Sequence, residues 1–242
     1  MKFNNAFSML EMIMVIVVIG ILSISLIPRF ESDTIKLYNA AKQVVSDIRY
    51  TQHLALQDDL IGTSDNWFKS RWGIRFYKNL TFSDAYCSGK DYYNIWSYTI
   101  FSDYKGSHTG NPDKDEIAKS PYDSNRLLSG GFNNVLCVEN KDNTDVKSSP
   151  EMNLGIKYNI RDITFSQGCR SNITYIHFDY MGRPYNSNNK YQPLETASSG
   201  WHKLLTDSCV ITLCLDNCDV ALDNKKISIE IENMTGYVRI IK

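Results

Sequence analysis

Phe7–Ile27, FSMLEMIMVIVVIGILSISLI, is a run of 21 residues with a single ionisable side chain, Glu11. About 20 apolar residues in a helix match the thickness of a bilayer core, so the run predicts a transmembrane helix. A carboxylate inside such a span costs roughly 2.5–3.5 kcal/mol on insertion scales. Glu11 therefore reads as a functional acid, set against the plainer reading of a snorkelling side chain near the membrane face.

The rest of the chain is polar, aromatic and cysteine-bearing. Its 242 residues carry 26 Lys+Arg and 27 Asp+Glu, so whole-chain charge gives no basic footprint for nucleic acid. A hydrophobic content of 43% supports an ordered core rather than disorder. Six cysteines, Cys87, Cys137, Cys169, Cys209, Cys214 and Cys218, all follow the apolar run. An even count in a translocated domain favours disulfides, and the sequence leaves all 15 connectivities open. The competing metal reading, Cys209, Cys214 and Cys218 with His202 nearby, lacks the C-x-x-C pair of a zinc site.

The amino-terminal run has two ordinary readings. One is a signal peptide, with Met12–Leu22 as apolar run and Ser23-Ile24-Ser25 as cleavage site. The other is a plain signal anchor, for which Lys2 before the span and Arg29 and Lys36 after it set no orientation. Neither gives Glu11 a role.

A third reading uses every feature. Residues 6–28, AFSMLEMIMVIVVIGILSISLIP, resemble the amino terminus of type IV pilins and type II secretion pseudopilins. The resemblance implies a leader, residues 1–6, cut by a prepilin peptidase between Ala6 and Phe7, with N-methylation of Phe7. It also implies an assembly acid at Glu11 and a helix-kinking proline at Pro28. Physically, the Phe7 ammonium and the Glu11 carboxylate each cost less in an apolar setting when paired. Pairing between neighbouring subunits would set their axial register.

Beyond Pro28, Leu37, Ala41, Val44, Ile48 and Ala55 recur at helical steps, with a gap at Thr51 and Gln52. Ala40, Val45 and Leu54 widen the stripe. Lys42, Gln43, Asp47, Arg49 and Gln57 form the polar face, and Gly62 reads as the stop. His53 reads as a helix-surface residue.

The remainder alternates as strands: Trp72, Ile74 and Phe76; Tyr92–Phe101; Ile160–Phe165; Ile173–Tyr180; Val210–Leu215; and Ile227, Ile229 and Ile231. Asn233–Gly236 reads as a turn closing a hairpin with Tyr237–Ile241. Residues 102–125, 139–153 and 186–200 read as loops. Asn111, Asp113, Asp115 and Glu116 fail the EF-hand pattern and read as a solvated acidic loop.

Phe178-Asp179-Tyr180-Met181-Gly182 and Thr235-Gly236-Tyr237-Val238-Arg239-Ile240 extend the resemblance to GspH/FimT-type minor pseudopilins. Some members of that group bind DNA through a C-terminal basic segment. This implies Arg239, Lys242, Lys225 and Lys226 as candidate DNA contacts, with Tyr237 standing where the segment's first Arg would be. The middle, about 85–165, is longer than the resemblance accounts for.

The expected fold is α+β and pilin-like. A long N-terminal helix (7–28 transmembrane, 29–62 amphipathic) packs on an antiparallel β-rich periplasmic head, 63–242, with disulfides. The expected location is the bacterial inner membrane, single-pass, with incorporation into a filament. The expected role is a minor pilin or pseudopilin subunit in type II secretion or a type IV pilus-like filament, serving protein secretion or DNA uptake. A DNA-binding minor pilin and a non-filamentous anchored binding protein are the alternatives. Partners are other pilin subunits, prepilin peptidase, the inner membrane and DNA. No G-x-S-x-G, H-E-x-x-H or P-loop occurs, so no enzyme activity and no cofactor or metal are expected.

Overall fold

The computed structural model describes residues 9–25, 33–58, 70–78, 95–105, 112–131, 147–186 and 204–241. The chain divides into two compact units, Met1–Ser32 and Asp33–Lys242. In the first, α1 covers Met9–Ser25. In the second, α2 covers Asp33–Leu56 and a short α3 covers Leu154–Tyr158.

Two expectations are corrected. The first is a single long N-terminal helix packed on the head. Instead α1 ends at Ser25, α2 begins at Asp33 and ends at Leu56, and the two belong to different units. The second is the single-pass inner-membrane anchor with a periplasmic head. The 17 residues of α1 rise only about 26 Å, short of a hydrocarbon core of about 30 Å. Among the described residues no helix is long and apolar enough to cross a membrane. Pro28 and Gly62 lie outside the described residues.

The stripe on α2 is the predicted one with its gap filled. Leu37, Ala40, Ala41, Val44, Val45, Ile48 and Ala55 are buried. Thr51 is buried too, because its hydroxyl donates to the Asp47 carbonyl at 2.7 Å and leaves no unsatisfied group. Leu54 is half-buried.

The strands are β1 (Trp72–Tyr77), β2 (Ser97–Ser102), β3 (Arg126–Leu127), β4 (Lys147–Ser148) and β5 (Asp162–Gln167). They continue with β6 (Tyr175–Phe178), β7 (Pro184–Asn186), β8 (Cys209–Cys214), β9 (Lys226–Ile231) and β10 (Val238–Ile241). One antiparallel sheet runs β2-β1-β6-β7 and another β10-β9-β8-β5, beside a parallel β3-β4 pair. Helix α2 packs against both larger sheets. Its stripe meets Ile74, Phe76, Tyr98, Ile176 and Phe178 of one sheet and Ile211, Ile229, Ile231 and Val238 of the other in a single core. Every residue of β2 is buried, so its aromatics are spent on the core; the Tyr98 and Phe76 rings lie 5.2 Å apart.

Disulfides join Cys169 to Cys209 and Cys214 to Cys218. Strand β8 is thus pinned at both ends: at Cys209, beside the turn after β5, and at Cys214, to the turn that follows it. Cys209, Cys214 and Cys218 are consumed in this way and are not available as thiolate ligands. Cys87 and Cys137 lie outside the described residues.

Candidate functional site

Helix α1 is apolar on every side. From Met9 to Gly20 every residue is exposed, and Met9, Leu10, Met14 and Ile16 are among the most exposed apolar side chains of the chain. A helix apolar all round is stable only when something covers it. Glu11, its one acid, sits in the first turn, where a negative charge is favoured by the helix dipole. Ala6 and Phe7, its proposed processing residues, lie outside the described residues.

At the other end of the chain, the two glycine motifs come together around one helix residue. Gln52 of α2 donates through Nε2 to the Gly182 carbonyl at 2.8 Å and to the Thr235 carbonyl at 2.7 Å. Gly182 and Gly236 have φ of +77° and +67°, left-handed values that glycine adopts without strain. A Cβ on Gly236 would lie 2.5 Å from the Gly182 carbonyl oxygen and 2.6 Å from the Gln52 amide nitrogen. The Asp179 carboxylate braces the Gly182 turn. It accepts from the Met181 and Arg183 amides and forms an ion pair with Arg183 at 2.8 Å.

The three predicted DNA contacts among the described residues do not form one patch. Arg239 pairs with Glu230 across the hairpin at 2.7 Å, Lys225 with Asp216 at 2.8 Å and Lys226 with Asp223 at 3.1 Å. Lys226 lines a separate cavity of about 630 Å³ with Thr34, Leu37 and Tyr38. It lies four strand positions from Glu230, the partner of Arg239, a separation of about 13 Å. Lys242 lies outside the described residues.

Arg239 instead joins two cations of α2 that sequence reasoning placed on a polar face. Lys42, Val45, Ser46, Arg49, Arg239 and Ile240 line a groove of about 370 Å³. The guanidinium of Arg49 donates to the Val238 carbonyl at 2.7 Å and lies 5.7 Å from the Tyr237 ring. The Lys42 ammonium lies 4.6 Å from the Tyr38 ring.

A second cavity, of about 330 Å³, was not anticipated; Asp47, Tyr50, Tyr122 and Glu151 are among the residues that line it. Asp47 is only 7% exposed. Its Oδ2 accepts from the Tyr98 hydroxyl at 2.5 Å and from the Gln43 amide at 3.0 Å. Burial pushes its carboxyl up to about 6, against those two donors and with help from the nearby Glu151 charge. Burial and the same carboxylate push the Tyr98 phenol well up. The signal was present in the sequence: Asp47 lies three residues after Val44 and seven after Ala40, inside the apolar stripe.

No family model matches this chain, and no curated protein or solved structure matches it either.

Proposed function

We propose that this chain is a minor pilin-like subunit of a bacterial envelope filament of the type II secretion or type IV pilus kind. The observation that carries the reading is α1, an apolar helix exposed on every side with one acid in its first turn. An exposed apolar surface of this extent marks an interaction site. Identical helices stacked head to tail bury it repeatedly, and a heterologous contact that does not close generates a filament. In this reading prepilin peptidase cuts between Ala6 and Phe7, Phe7 is N-methylated, and Glu11 pairs with the Phe7 amine of a neighbouring subunit. The β-rich head then faces partners. The DNA-uptake variant draws less support, since Arg239, Lys225 and Lys226 each already hold a carboxylate.

Two measurements test it in the native host. Mass spectrometry of the mature protein is expected to find a chain starting at N-methylated Phe7; a start at Met1 or Leu26 overturns the reading. Glu11→Leu is expected to leave protein levels intact and to remove the chain from the sheared filament fraction. Unchanged incorporation of that variant means that Glu11 does not set the register.

A further inference from the structure

We infer that the outer edge of β10, at Ile240, accepts an extended acidic segment of a partner protein as an added strand. The inference is independent of the filament reading. Strand β10 ends its sheet, in the order β10-β9-β8-β5. Hydrogen bonds alternate sides along an antiparallel strand. The Glu232 amide donates to the Tyr237 carbonyl at 2.9 Å, and the Leu215 amide to the Lys225 carbonyl at 3.0 Å. With Arg239 opposite Glu230 and Ile241 opposite Ser228, the ladder turns Tyr237, Arg239 and Ile241 toward β9. The backbone groups of Val238 and Ile240 therefore point outward. Arg49 takes the Val238 carbonyl. Among the described residues nothing pairs with the Ile240 amide or carbonyl.

The charges around this edge select the occupant. Lys42 and Arg49 stand on the α2 side, two turns apart on one helix face. Arg239 also borders the groove, but alternation along the strand turns its side chain away from α2. Glu230 neutralises Arg239, while neither Lys42 nor Arg49 forms an ion pair among the described residues. The groove is thus cationic, with an apolar floor of Val45 and Ile240. A second β10 edge would carry the same cations and be repelled, so a copy of this chain is not the partner. An extended segment with alternating carboxylates offers backbone groups to Ile240 and turns its acids to Lys42 and Arg49 on the α2 side, its intervening side chains lying on the opposite face. Strand addition of this kind takes affinity from the backbone and specificity from the alternate side chains.

The test uses the full chain and a capped Thr-Glu-Val-Glu-Val-Glu-Thr peptide, with a Lys-for-Glu version and a short DNA duplex as comparisons. The acidic peptide is expected to bind, to slow hydrogen exchange at the Ile240 amide, and to bind about tenfold more weakly to Lys42→Glu. Ile240→Pro removes the outward amide, which an edge strand tolerates, together with a side chain that packs on the core; it is expected to abolish binding, and its melting midpoint shows whether the fold is kept. Should that variant misfold, exchange at Ile240 in the unaltered chain decides. Several results overturn the inference: no binding of the acidic peptide, equal binding of the Lys version, or no added protection at Ile240. A duplex that outcompetes the peptide and ignores Ile240→Pro makes the groove a phosphate site. Self-association abolished by Ile240→Pro makes the occupant a second copy.

Discussion

Asp47 is a largely buried carboxyl, held between the Tyr98 hydroxyl and the Gln43 amide. Its position at about 6, against an ordinary 3.8, makes the folded head bind a proton more tightly than the unfolded chain. The stabilisation from Asp47 is therefore complete below pH about 4 and is lost as pH rises through about 6. A shift of about two pH units, at about 1.36 kcal/mol each, amounts to about 3 kcal/mol. Asp47→Asn keeps an acceptor for Tyr98 and has no proton to lose. Urea unfolding at pH 4.5 and pH 7.5 (about the ends of that window) is expected to show the unaltered chain losing about 2–3 kcal/mol more than the variant across the interval. Parallel pH profiles for the two chains would mean that Asp47 does not titrate in this range. Helical spacing from Ala40 and Val44 sets Asp47 within the apolar stripe, although its charge type alone reads as polar-face. Its main partner, Tyr98, is 51 residues away, and local periodicity carries no trace of such a pairing.

Between helix α2 and the C-terminal hairpin, Gln52 is the clip that holds two turns at once, through the Gly182 and Thr235 carbonyls. Removing it in Gln52→Ala leaves two carbonyls without their donor and is expected to cost about 1–3 kcal/mol. Gly236→Ala places a Cβ against the same amide and the Gly182 carbonyl, in a backbone region that costs a non-glycine residue about 1–3 kcal/mol. Because both changes break one junction, the double variant is expected to lose less than the sum of the two, measured by chemical unfolding; strict additivity would mean that they are separate sites. Turns and long strands of this region were legible in the sequence. Ile227, Ile229 and Ile231 alternate cleanly, and β9 and β10 lie where the pattern puts them. Strands β3, β4 and β7 were not, since two or three residues show no period. Helix α3 was missed because five residues, Leu154–Tyr158, make little more than one turn. Gln52 was the hole in the apolar stripe, and only the fold reveals what it reaches.

At the scale of the whole chain, the apolar run and the head are separate units, Met1–Ser32 and Asp33–Lys242. Hydropathy located the apolar run within which α1, Met9–Ser25, forms. The head has its own means of staying folded: one core shared by α2 and two sheets, and a Cys169–Cys209 link across a separation of 40 residues. By loop-closure entropy such a link restricts the unfolded chain by about 4 kcal/mol. A chain beginning at Asp33 therefore has every residue of the core cluster and both described disulfides. Its melting midpoint is expected within about 2 °C of the full chain's, a difference below about 1 kcal/mol. Self-association is expected to separate the two: in mild detergent the full chain sediments as oligomers and the shortened chain as a monomer, because the exposed apolar helix has gone. A shortened head that melts well below the full chain would make the first 32 residues part of the head's own core, and α1 would then lose its claim to be the surface through which copies assemble.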